Sequence, residues 1–168
     1  MSSETILKVI RPSRKKPMRG DVFAMQLPDS RYLFGRVIEA ELSLDQAPMP
    51  GVYLIYIYKQ RTNEKTPPMG LLTPDRLLLP PIFINRLPWS RGYFETVASG
   101  EVRPEDVLPQ HCFLDVTGRY FDLGWKVLPG PTEPCGGWYL HSYQIIDEEI
   151  GDALGYPRAP EANGSDGA

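Results

Sequence analysis

Gly51-Val52-Tyr53-Leu54-Ile55-Tyr56-Ile57-Tyr58 is the stretch whose reading decides the fold. It carries no charge and is rich in β-branched and aromatic residues, the composition of a strand. Odd and even positions are equally apolar, so both faces need cover and the strand sits centrally. Working upstream, residues 41–50 form a loop containing Pro48 and Pro50. Before that loop lies a hairpin. Residues 21–27 form an apolar strand, Pro28-Asp29-Ser30 supplies turn chemistry, and residues 31–40 return. Gly35, in the middle of the return strand, is read as a bulge or tight bend.

Downstream, the elements are short. Thr73-Pro74-Asp75-Arg76 resembles a helix start, with Thr at the N-cap and Pro at the first helical position. Pro80-Pro81 ends it, and residues 82–84 form a brief strand. Residues 89–98 contain another strand at 93–97, and residues 104–107 one helical turn. Residues 112–114 and 119–122 read as strands joined at Thr117-Gly118. Alternating Trp138, Leu140, Tyr143 and Ile145 mark a late strand over 137–146. Asp147 then caps a helix over 148–154, and Gly155 is placed to end it. With 18 prolines and 15 glycines in 168 residues, long helices are excluded. The fold class is mainly β with minor α. A small twisted or partly open β-barrel is expected, with an SH3-like opening hairpin and one or two short helices.

Charge divides the chain further. The net charge is −3, yet Lys8, Arg11, Arg14, Lys15, Lys16 and Arg19 face only Glu4 in the first 19 residues. From residue 133 onward seven acids face only Arg158. The expected organisation is a basic flexible arm at 1–19, a single β-rich domain at 20–156 and a disordered tail at 157–168. No apolar run is long enough to span a bilayer, and the N-terminus does not read as a signal peptide. Cys112 and Cys135 suit a reducing compartment and make no disulfide framework. A cytoplasmic location follows as the expectation.

The residues that could carry chemistry are few. His111, Cys112, Cys135 and His141 have none of the spacings of a zinc motif, and His111 and Cys112 are adjacent, so a strand would point them apart. Cys135 in Pro134-Cys135-Gly136-Gly137 could act as a nucleophile. His141 or His111 would be its base, Asp115 or Asp122 the orienting group, and the glycine backbone an oxyanion hole. Nothing in the spacing requires that arrangement, and Pro-Cys-Gly-Gly also makes a tight loop. No glycine-rich phosphate loop is present. We therefore expect no catalytic residue, no metal site and no cofactor. The basic arm lacks interleaved aromatics and leads into an acidic body, which argues against nucleic acid. Pro88-Trp89-Ser90-Arg91-Gly92-Tyr93-Phe94 reads as core packing, with an exposed partner patch as the alternative. The acidic helix with Asp147, Glu148, Glu149 and Asp152 is the candidate partner-binding surface, facing a basic protein.

Several of these pieces together resemble a known family. Gly20-Asp21-Val22-Phe23-Ala24, Leu27-Pro28-Asp29, Arg31-Tyr32 and Phe34-Gly35-Arg36-Val37 open it. The strand at 52–58, the Leu/Pro stretch at 77–81, Trp89 and Gly92-Tyr93-Phe94 follow in order. Tyr120-Phe121-Asp122-Leu123-Gly124 and the closing helix complete it, over roughly 18–156. The sequence resembles immunity protein family 26 of bacterial polymorphic toxin systems, whose members are often labelled together with a phosphotriesterase, HocA. The resemblance implies a cytosolic antidote that binds one cognate toxin domain and blocks it. It brings no catalytic residues, and Gly20, Asp21, Gly35 and Tyr93 match it only as turn, bulge and core. A hydrolase of the HocA type is the alternative, and an SH3-like module binding nucleic acid or peptide through the arm is a third reading.

Overall fold

Alternation along the first three strands builds the molecule's centre. The computed structural model describes residues 5–157. In it β1 (Val22–Gln26) and β2 (Tyr32–Leu42) form the expected hairpin. Its turn is closed by the Leu27 N–H on Arg31 O and the Ser30 N–H on Leu27 O. β3 (Val52–Ile57) is buried throughout and lies between β2 and β4 (Ile82–Ile84). Its side chains divide by parity, as strand geometry dictates. Tyr53, Ile55 and Ile57 enter one hydrophobic cluster; Val52, Leu54 and Tyr56 enter the other.

The remaining elements supply the covers. After β4 come α1 (Leu87–Ser90), β5 (Glu95–Ala98), β6 (Phe113–Leu114), β7 (Tyr120–Asp122) and β8 (Lys126–Leu128). β9 (Gly136–Gly137), β10 (Leu140–His141) and α2 (Tyr143–Leu154) close the order. Six strands form one sheet in the order β10-β4-β3-β2-β1-β5, and four form a second, β8-β7-β6-β9. One face of the large sheet packs on Trp89, Ile146 and Ile150 of the helices and on Leu7. The other packs on Phe113 and Phe121 of the small sheet and on Trp138. The architecture is helix, sheet, sheet. It is mainly β with minor α, as expected, and the strands of the described residues form two sheets that close no barrel.

Four local readings are corrected. Gly35 is not a bulge. The register runs regularly through it, and a side chain there would sit 2.3 Å from the Phe23 ring and 2.8 Å from Tyr56 O. Glycine is required because that ring lies across its backbone. The Thr73 segment is a turn, with the Arg76 N–H donating to Thr73 O, rather than a helix start. Trp89 belongs to α1, and the strand beyond it begins only at Glu95. The late strand ends at His141, and α2 starts at Tyr143 with Ser142 as its cap, so Asp147 lies inside the helix. Tyr143, Ile146, Ile150 and Leu154 follow the helical period, which overrides the local alternation.

Residues 5–13 of the segment expected as an arm run against the domain. The N–H of Lys8 donates to Gln26 O, that of Ile10 to Gly92 O and that of Ser13 to Trp89 O. Leu7 is 4% exposed. The tail expected from residue 157 lies, from 158 onward, outside the described residues.

Candidate functional site

The acidic stretch of α2 is set by how that helix is started and stopped. The Ser142 hydroxyl accepts from the Ile145 N–H at 3.2 Å, satisfying one of the orphan amides of the first turn. Gly155 ends the helix in the left-handed conformation at φ 81°. Ile146 and Ile150 anchor it to the large sheet, so the residues between them are shared between surface and interior.

The four acids named from the sequence are not equivalent. Asp147 is turned inward, at 6% exposure. Its Oδ1 accepts from the Leu7 N–H at 2.9 Å and its Oδ2 from the Ile6 N–H at 3.0 Å. Burial raises its pKa, against the lowering effect of these two amides. This carboxylate fastens the N-terminal segment to α2 and leaves the surface to its neighbours. Glu148 and Asp152 are exposed, and Glu149 is half-buried beside them. The Glu149 pKa is raised by burial and then by Asp152 and Glu148, three carboxylates crowding one helix surface.

Glu149 also lines a cleft of about 290 Å³. Pro80 and Pro81, leading into β4, form one wall; Gly136, Gly137 and Cys135 form another; Tyr139 and His141 lie alongside. Tyr139 stacks on His141 with ring centroids 4.4 Å apart. Gly137 permits this, because a side chain there would sit 2.1 Å from the Tyr139 ring. His141 is buried, and its pKa is lowered chiefly by burial, so the imidazole is neutral near pH 7. An apolar slot with an aromatic face and a carboxylate at its rim suits a cationic side chain.

The groups weighed for catalysis are dispersed. Cys135 Sγ contacts Cys112 Sγ and Gly136 O and makes no hydrogen bond to either histidine among the described residues. Its thiol is pushed up to about 12 by burial and by Cys112, the reverse of an activated nucleophile. The glycine amide proposed for an oxyanion hole is engaged, since the Gly136 N–H donates to Cys112 O. His111 is a structural link: its Nε2 lies 2.7 Å from the Tyr56 hydroxyl, which also accepts from the Leu108 N–H. Asp122 accepts from the His111 and Leu123 amides, and Asp115 holds the turn between β6 and β7. Among the described residues no three His, Cys, Asp or Glu side chains gather as a metal-binding group, and no helix is long and apolar enough to cross a membrane.

Sequence reasoning missed the cleft, because it is made by elements distant in the chain. It also missed a buried ion pair, Arg36 to Asp106 at 3.2 Å, which ties the helical turn at Pro104–Asp106 to β2. Two prolines before β4 and two glycines in β9 were the available signals, but nothing local says that they face each other.

The fold and the site together define a β-rich domain of two sheets closed by a helix whose exposed face is acidic. The comparison with known families makes this specific: the chain belongs to the Immunity protein 26 family, whose profile matches residues 18–120. No curated protein and no solved structure matches it. The matched segment contains the large sheet's first five strands and β6 of the small sheet, ending at the first residue of β7; α2 and most of the cleft lie beyond it.

Proposed function

We propose that this chain neutralises a cognate bacterial toxin domain by direct one-to-one association, acting by binding and not by turnover. Membership of the immunity family supplies the class of partner. The observation that carries the binding face is Glu149, which joins the acidic surface of α2 to the cleft and is half-buried beside two further carboxylates. A basic toxin surface relieves that crowding, and a lysine or arginine entering the cleft meets Glu149 and the Tyr139 ring. Asp147 supports this surface from behind by holding residues 6 and 7. Charge-paired association of this kind is fast and loses on-rate as salt rises. We place the complex in the cytoplasm, where an incoming toxin would act.

Co-expression tests the reading. The full chain is produced together with the product of the neighbouring reading frame in a host that this product arrests. Restored growth and a stoichiometric complex are expected. A host that stays arrested, with this chain well folded and abundant, overturns the proposal and returns weight to the hydrolase reading.

A further inference from the structure

Cys112 and Cys135 are far apart in sequence but adjacent in the small sheet. β6 and β9 pair in parallel with Phe113 opposite Gly136 and Leu114 opposite Gly137. One residue earlier, the same register sets Cys112 beside Cys135. The Gly136 N–H donates to Cys112 O at 2.9 Å, which fixes that alignment. Neighbouring strands lie about 4.8 Å apart, within the backbone separation that a disulfide spans. The two sulfurs are in contact at 2.7 Å, and both cysteines are free thiols. Their surroundings differ. Cys112 is fully buried, and its sulfur accepts the Thr132 N–H at 3.4 Å. Cys135 is partly exposed and lines the cleft.

We propose that Cys112 and Cys135 form a dithiol site that takes up an intramolecular disulfide from low-molecular-weight disulfides, with Cys135 as the entry thiol. The Cys135 thiolate attacks one sulfur of the small disulfide. A bond forms between them, the small S–S bond breaks, and one small thiolate leaves. Cys112, after losing its proton, then attacks Cys135 Sγ, and the second small thiolate departs. The two protons shed by the protein thiols end on the two released small thiols. The protein dithiol is oxidised by two electrons and the small disulfide is reduced by two. The high pKa of the Cys135 thiol makes the first step slow at neutral pH and faster as pH rises. The product ties β9 to β6 and fixes the cleft wall formed by Gly136 and Gly137.

Oxidised glutathione incubated with the full-length protein at mildly alkaline pH provides the test, read by intact mass and thiol titration without denaturant and then in denaturant. In the wild type we expect the loss of two hydrogens, no retained glutathione and no titratable thiol in either condition, with reversal by a dithiol reductant. Cys112→Ser, which keeps the entry thiol, is expected to stop at a glutathione adduct on Cys135. Cys135→Ser is expected to stay unmodified while folded, because Cys112 is buried. Two thiols persisting in the oxidised wild type, or a stable glutathione adduct in place of the bridge, would overturn the proposal. The wild-type result decides the matter even if either variant folds poorly.

Discussion

The hairpin and central strand of residues 22–57 and the stretch of residues 107–149 are held together in different ways. In the first, long strands pair with their chain neighbours, and successive side chains are buried in the two cores on opposite faces of the sheet. In the second, strands of two or three residues are fastened by specific polar contacts: Tyr56 to His111, Asp122 to two amides, and the two cysteine thiols. The family match covers the first region completely and the second only as far as residue 120. The lesson is one of division of labour. The framework and the α2 anchor are generic packing, while the cleft beside the acidic surface is built on short elements whose placement depends on individual side chains.

The largest effect should come from the framework. Phe23 stacks on Phe94 at 4.4 Å and meets Trp89 edge-on. Phe23→Ala should cost about 4 kcal/mol, from lost burial and the cavity left behind. Equilibrium denaturation followed in both regions should show them unfolding together. Separate transitions would show that the second region does not depend on the first.

Removing one oxygen sharpens the comparison. Tyr56→Phe deletes the hydroxyl shared by His111 and Leu108 and should cost about 2 kcal/mol, because it leaves the buried His111 ring and the partly buried Leu108 N–H without that partner. Amide exchange should accelerate in residues 108–128 and stay slow in β1 to β3. Uniform acceleration would contradict the division drawn here.

Acid should separate the regions in the same direction. His111 and His141 have lowered pKa values, chiefly through burial, and both belong to the second region. At these two sites the folded state therefore binds fewer protons than the unfolded chain as pH falls through the ordinary histidine value of about 6.5. Stability held above that value is lost below it. A His141→Asn variant should lose less stability than the wild type between about pH 7.5 and 5.5 in denaturant titrations. Equal losses would remove His141 from the account.

The smallest effect on stability belongs to the proposed interface. Glu148→Lys with Glu149→Lys should leave the unfolding free energy within about 0.5 kcal/mol of wild type. A larger loss would make these residues structural.

How much of this was legible in the sequence follows the same division. The first hairpin and the doubly buried central strand could be read because parity and turn chemistry are local signals. Gly35 could be noticed but not explained, since the ring that requires it belongs to β1. The start of α2 was misplaced because Trp138, Leu140, Tyr143 and Ile145 alternate like a strand up to the cap at Ser142. Asp147 looked like a surface acid because its partners, the Ile6 and Leu7 amides, lie across the chain in a segment whose basic residues suggested solvent. The cleft is formed by residues 80–82, 114, 135–137, 139, 141 and 149, and only the folded sheets bring them together.

The central claim is that the acidic surface of α2 receives the toxin. Its most direct test is the affinity of the purified toxin domain for the wild type and for the Glu148→Lys, Glu149→Lys variant, measured by titration calorimetry at low and at physiological salt. We predict a loss of at least about tenfold in affinity, or about 1.4 kcal/mol, that narrows as salt rises. Equal affinities for the two folded proteins at both salt concentrations would place the interface elsewhere on the molecule.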